Sequence, residues 1–188
     1  MTENEWQDYL SEEPVALDMA DDVVPSAVLV IISADKAPAL VLTKRSAHLK
    51  KHAGQISFPG GRVDRQDETL AHTALREAEE EIGLRRETVE IMGYLPDILT
   101  GTGFRITPVV AQSSLDQRQL SAQLQANPDE VDSILFAPLS LLLDANKYES
   151  FRREDKDVAW RSWRIMHEGH IIWGATAAIL HKWANRLS

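Results

Sequence analysis

Arg76-Glu77-Ala78-Glu79-Glu80-Glu81-Ile82-Gly83-Leu84 is the stretch that decides how this chain is read. Four carboxylates on two helical turns repel one another unless something positive lies between them. Leu70, Ala74, Ala78 and Ile82 recur at four-residue spacing and form one apolar stripe, small in the middle, that can lie closely against a sheet. The spacing predicts a helix over 68–82, with Asp67 or Thr69 as its N-cap and Gly83 as its stop. On such a helix Glu77 and Glu81 stand about 6 Å apart along the axis and on nearly the same face, and Glu80 joins them. Three hard oxygen ligands are then expected to converge on one point, a set suited to Mg²⁺ or Mn²⁺. Arg76, four residues before Glu80, is placed to pair with it and limit the repulsion. Taken alone, a Glu-rich turn is a solvated acidic face. Its neighbours change that reading.

Upstream lies Phe58-Pro59-Gly60-Gly61, where proline and two glycines end a strand and begin a loop. Together, this loop, the spacing that follows and Arg-Glu-x-x-Glu-Glu-x-Gly resemble the Nudix box, Gly-x5-Glu-x7-Arg-Glu-U-x-Glu-Glu-x-Gly-U, with U aliphatic. Arg76, Glu77, Ala78, Glu80, Glu81, Gly83 and Leu84 fit its second half. The first half departs by one residue: the acid falls on Asp67 counting from Gly61 and on Glu68 counting back from Arg76, an insertion in the loop or the first helical turn. The resemblance implies a Nudix-type α/β/α sandwich with a mixed β-sheet. It also implies a catalytic group of Arg76, Glu77, Glu80, Glu81 and Glu130. Glu77 and Glu81 are the expected principal metal ligands, Glu80 a ligand or water-organising base, and the Gly60 carbonyl a further oxygen. Glu130, in Asn127-Pro128-Asp129-Glu130-Val131 just before a strand, matches the remote acid of several Nudix proteins; otherwise it is an exposed loop charge. In Nudix hydrolases the metal neutralises a pyrophosphate and water attacks one phosphorus.

Further upstream, Val41-Leu42-Thr43-Lys44-Arg45-Ser46, then Lys50, Gly54 and the Phe58 loop are similar to the signature of the coenzyme A pyrophosphatase branch, Leu-Leu-Thr-x-Arg-Ser-x3-Arg-x3-Gly-x3-Phe-Pro-Gly-Gly. Val41 replaces Leu, and Lys50 replaces an Arg, which loses a bidentate phosphate fork. Arg45, Lys50, Lys51 and His52 keep the stretch basic, either for a substrate rich in phosphate or as solubilising charge. The resemblance continues through residues 100–110, 129–131 and 172–177. Trp160, Trp163 and Trp173 either stack a base or belong to the core. The six histidines show no metal-ligand pairing and are assigned no role in chemistry.

Elsewhere, 26–33 and 39–45 read as strands joined in a hairpin, and 89–95, 104–111, 130–136 and 159–166 as further short strands. A last helix is expected after Gly174, ending near Asn185. Strands, one helix, more strands and a final helix define an α/β (α+β) chain rather than a doubly wound sheet, and no Gly-x-Gly-x-x-Gly occurs. The 188 residues, 44% hydrophobic, supply one core: a domain over 25–188 preceded by an acidic segment, 1–24. That segment holds eight of the 29 acids and none of the 20 bases, and reads as solvated or loosely docked. The net charge of −9 lies mostly there and leaves no basic face for nucleic acid. No apolar run is long enough for a membrane span, cysteine is absent, and the N-terminus lacks a secretory pattern, so a cytoplasmic location is expected.

The function implied is Mg²⁺- or Mn²⁺-dependent cleavage of coenzyme A or an acyl-coenzyme A into 3′,5′-ADP and 4′-phosphopantetheine or its acyl form, by a monomer or homodimer. The alternatives are a Nudix hydrolase for another diphosphate, such as ADP-ribose, a dinucleotide or a nucleoside triphosphate, and a Nudix ligand-binding protein without chemistry.

Overall fold

The computed structural model of the chain describes residues 6–14, 23–49, 52–155 and 158–187, with backbone alone at 153–155 and 158–160. Two long strands organise it: β1 (Val24–Ile32) and β7 (Phe104–Ser113) run parallel in register from Val24↔Phe104 to Ile32↔Gln112. β2 (Ala39–Arg45) follows β1, and β8 (Val131–Pro138) lies along β2. Short strands β3 (Ile56–Ser57), β4 (Gly60–Arg62) and β6 (Ile98–Leu99), with β5 (Val89–Tyr94), complete a mixed sheet. Its path is β3-β2-β1-β7-β5, with β4 on β1, β6 on β7 and β8 on β2. β9 (Glu149–Asp155), β10 (Val158–His167) and β11 (His170–Trp173) form a second, antiparallel sheet.

The helices are α1 (Leu70–Ile82), α2 (Gln117–Gln123), α3 (Leu139–Leu142) and α4 (Gly174–Ala184). From Leu29 to Ile32 β1 is buried on both sides and wholly apolar. Ala27, Leu29 and Ile31 face a cluster with Ala74, Ala78 and Ile82 of α1, whereas Val30 and Ile32 face Ala177, Leu180 and Trp183 of α4. This period-2 alternation makes the α/β/α sandwich.

The expected hairpin forms differently. β1 and β2 are joined by a tight turn, with the Ser33 N–H donating to the Ala39 carbonyl at 2.9 Å, but they pair only at Ile32↔Leu40. β8 runs along the other edge of β2 for its whole length, β3 takes the edge that β1 leaves at Thr43↔Ser57 and Lys44↔Ile56, and β4 takes the vacated edge of β1 at Ser26↔Arg62, Ala27↔Gly61 and Val28↔Gly60. That splay admits the Pro59–Gly60–Gly61 loop into the sheet. The helix expected over 68–82 begins at Leu70, because Thr69 rather than Asp67 caps it, its hydroxyl accepting from the His72 N–H at 3.0 Å. Gly83, at φ +64°, ends it as expected. Of the acidic segment, Trp6 is buried edge-on to Trp183, with ring centroids 6.1 Å apart, and Ser11 bridges to Tyr94. The short runs 117–123, 149–155 and 170–173, which form α2, β9 and β11, carry no periodicity that marks an element.

Candidate active site

The site is built where β4, the C-terminal half of α1 and the turn before β8 meet. Gly60 sits at φ +153°, and a Cβ there would come within 2.4 Å of the Ala27 carbonyl oxygen, so only glycine lets β4 lie this close to β1. At Gly61 a Cβ would fall 2.4 Å from the Glu77 carboxyl carbon; the missing side chain is the space the carboxylate occupies.

Arg76 ties the loop to the helix. Its Nε and Nη2 donate to Asp67 Oδ1 and Oδ2, each at 3.0 Å, a bidentate fork, and Nη2 also donates to the Arg62 carbonyl at 3.2 Å. Nη1 pairs with Glu77 at 2.9 Å and with Glu80 at 3.2 Å. The guanidinium holds the Asp67 carboxyl far below the usual carboxylate range, chiefly through these hydrogen bonds. Asp67 also accepts from the Thr73 hydroxyl at 2.9 Å and the Asp64 N–H at 2.9 Å. The acid counted forward from Gly61 thus forms the pair and Glu68 is exposed, which puts the extra residue after Asp67, at the start of the helix.

Glu81 is the buried member, 3% exposed. Its Oε2 accepts from the Gly60 N–H at 3.2 Å, and its Oε1 lies 3.8 Å from Arg45 Nη1. Burial pushes its carboxyl up to about 7, opposed by the Gly60 hydrogen bond and the Arg45 charge and reinforced by Glu130 and Glu77. Burial likewise raises Glu77, with Arg76 opposing and the charges of Glu80 and Glu130 adding. Glu80 is more than half exposed, and Glu79 points away to Arg86 at 3.0 Å.

The three glutamates share one face as expected, yet their carboxylates do not converge on a point. Glu77 and Glu80 share Arg76, whereas Glu81 takes the Gly60 N–H and Arg45. Among the described residues no three acidic or imidazole groups stand ready-grouped around an ion. In chemistry the set still fits a hard divalent cation: carboxylates on one face, one of them raised chiefly by its burial and further by the neighbouring charges of Glu130 and Glu77, which a cation would relieve.

Of the other expected residues, Arg45 is at the site, though facing Glu81, and Glu130 is close enough for its charge to act on Glu77 and Glu81. His52 lies in the turn after β2, exposed, its Nδ1 2.9 Å from Gln55 Oε1. Lys50 and Lys51 lie outside the described residues. Sequence reasoning passed over Gly61, the Arg62 carbonyl and Asn127. The first was legible as the second glycine of a pair and the last as the opening of an Asn-Pro-Asp turn; the carbonyl carries no sequence signal. Trp163 stacks on His181, with centroids 3.6 Å apart, which is core packing against α4.

Residues 23–156 match the NUDIX domain family, and the chain belongs to it. Over 162 residues, 85% of this chain and 80% of each relative, it is 41% identical to the uncharacterized Nudix hydrolase NudL of Escherichia coli (strain SMS-3-5 / SECEC) and to that of Citrobacter koseri. In fold it is similar to the crystal structure of MutT protein from Methanosarcina mazei Go1, with a TM-score of 0.53 at 17% identity, covering 92% of this chain and 96% of that one. The chain is accordingly a Nudix diphosphatase, in a family that uses divalent metal ions and acts on small-molecule substrates such as nucleoside diphosphate derivatives. Among the described residues no helix is long and apolar enough to cross a membrane.

Proposed function

We propose that this hydrolase cleaves the pyrophosphate of coenzyme A or an acyl-coenzyme A, with Mg²⁺ or Mn²⁺, releasing 3′,5′-ADP and 4′-phosphopantetheine or its acyl form. The observation that carries the reading is Arg45 Nη1, 3.8 Å from Glu81 Oε1, which brings the start of the basic stretch 45–52 to the edge of the carboxylate face. A substrate with a pyrophosphate and a separate 3′-phosphate suits that juxtaposition of a cation-binding face and a basic patch.

In this reading Glu77 and Glu81 hold the cation with the Gly60 carbonyl, and Glu80 serves as a ligand or water-organising base. Glu130 completes the site from the turn before β8. Bound there, the metal supplies charge neutralisation of the pyrophosphate and an acidified water. The protein's own part is orientation: Arg76 fixes Glu77 and Glu80 while anchoring the loop through Asp67. Arg45, Lys50, Lys51 and His52 receive the 3′-phosphate.

The test is product analysis by mass after incubation with Mg²⁺ or Mn²⁺ and coenzyme A, its 3′-dephospho form, acetyl-coenzyme A, ADP-ribose, NADH and a nucleoside triphosphate. Release of 3′,5′-ADP from the coenzyme A compounds, with poor turnover of the dephospho form, is expected. Equal turnover of both forms, or preference for another member, would discard the substrate while keeping the chemistry.

A further inference from the structure

The last turn of an α-helix leaves carbonyls without intrahelical partners. At the end of α1 the Gly83 N–H donates to Glu79 and the Leu84 N–H to Ala78, which leaves the carbonyls of Glu80, Glu81 and Ile82. One short segment meets all three. Asn127 Nδ2 donates to Glu80 O at 3.4 Å, the Asn127 N–H to Glu81 O at 2.9 Å, and the Gln125 N–H to Ile82 O at 2.9 Å.

Asn127 also opens the turn that carries Glu130. Its Oδ1 accepts from the Asp129 N–H at 3.2 Å, and its carbonyl accepts from the N–H groups of Glu130 at 3.0 Å and Val131 at 2.8 Å. From the other side, the Ser46 N–H, next to Arg45, donates to the Glu130 carbonyl at 2.8 Å. The Glu130 backbone is thus pinned between the end of β2 and the end of the glutamate helix.

We infer that Asn127 is a positioning residue: it locks the turn bearing Glu130 onto the C-terminal end of α1, so that helix and turn present their carboxylates as one unit. This rests on the reading of Glu130 as part of the site. The charge of Glu130 felt at both Glu77 and Glu81 agrees with such a unit. Residues that orient metal-binding groups without touching the ion ordinarily set affinity by one to two orders of magnitude.

The experiment is a double-mutant cycle on the full chain with Asn127→Ala and Glu130→Gln, read by calorimetric Mn²⁺ affinity, by the Mn²⁺ concentration for half-maximal turnover, and by KM for the diphosphate substrate. Expected is a roughly tenfold weaker Mn²⁺ affinity in N127A with KM unchanged, and no further loss when N127A is added to E130Q. Asn127→Gly, which keeps the backbone donors and tolerates any turn conformation, is carried alongside and judged by the same criteria in case the alanine variant does not fold. Asn127→Ser, restoring an oxygen for the Asp129 N–H, should recover most of the loss. The inference is overturned if N127A keeps full Mn²⁺ affinity, or if its loss multiplies undiminished with that of E130Q. E130Q behaving as wild type would remove Glu130 from the site and the positioning role with it. An impaired E130Q beside an unimpaired N127A would remove the positioning role alone.

Discussion

α1 and α4 lie on opposite faces of one sheet and differ in what they bury. α4 buries Thr176, Ala177, Ile179, Leu180, Trp183 and Ala184, and packs on β10, β11 and α3. α1 buries Thr73, Ala74, Ala78 and Ile82, and with them a carboxylate, Glu81. A buried charge without a full counter-charge costs free energy, and the local surroundings of Glu81 offer one backbone N–H and a guanidinium at 3.8 Å. The contrast teaches that one helix is built for stability and the other trades stability for a cation-binding face. Each variant below breaks or sharpens that contrast.

The largest effect is expected at Glu81. Glu81→Gln keeps the shape and the Gly60 hydrogen bond but removes an anionic ligand, so kcat should fall by about 10³-fold or more, on the order of 4 kcal/mol. Stability should move the other way. Because the folded-state carboxyl sits at about 7 against an ordinary 4.5, the folded protein binds this proton more tightly than the unfolded one. Its contribution is fully present below pH 4.5 and is lost as pH rises through about 7. In chelated wild type this would lower stability by up to about 3 kcal/mol across that window. The Gln variant lacks this titration, so urea melts in EDTA should show it more stable than wild type at pH 8 and little different at pH 4.5. A variant that is less stable at pH 8 would contradict the account of burial strain.

On the other face the expectation inverts. Trp183, 1% exposed and edge-on to Trp6, is core. Trp183→Ala should cost about 3–5 kcal/mol of stability, while the fraction that remains folded keeps the wild-type metal concentration for half-maximal turnover. A shift in that concentration would mean that the two faces are coupled.

The same contrast explains what could be read in advance. α1 was legible as a helix, overrun by two residues at its start and with its cap left between Asp67 and Thr69, because its apolar stripe and its Gly83 stop are local, and the glutamate spacing put three candidate ligands on one face. β2 was legible to the residue, as an apolar run bounded by Pro38 and by the basic stretch. The pairing partners were not: that β2 leaves β1 for β3 depends on the insertion of β4, which needs a glycine at position 60 to pass within contact of the Ala27 carbonyl and one at 61 to make room for Glu77. Periodicity also missed β9, a mostly charged run that pairs only with β10, and α2, a helix of seven residues with one buried side chain, Leu120. Arg45 was legible as a basic residue near the site but not as a neighbour of Glu81, since that contact joins the end of β2 to a helix distant in sequence. Asn127 looked like an ordinary turn residue, because its helix-end partners lie more than 40 positions away.

Arg76 tests the link between loop and helix. Arg76→Lys keeps the charge but loses the planar fork on Asp67 and the reach to the Arg62 carbonyl. A loss of about 2 kcal/mol in stability is expected, with roughly tenfold lower kcat/KM as Glu77 and Glu80 lose their common anchor. The stability held in the Asp67 pair is present above the ordinary carboxylate value of 3.8 and is lost as pH falls toward the depressed folded-state value. The Lys variant should therefore show a flatter acid limb in its stability profile. An unchanged acid limb would remove Asp67 from that role.

The smallest effect separates the two caps that the sequence left open. Thr69 accepts the His72 N–H at 3.0 Å, whereas Asp67 spends both oxygens on Arg76, Thr73 and Asp64. Thr69→Ala should thus cost only about 1 kcal/mol, the usual worth of an N-cap, and leave Mn²⁺ affinity at the wild-type value. Asp67→Ala should affect both, because it frees the guanidinium that holds two of the glutamates. If T69A weakened metal binding as much as D67A, the frayed first turn would be reaching the carboxylates directly, and the anchoring attributed to the Arg76–Asp67 fork would belong to the helix cap instead.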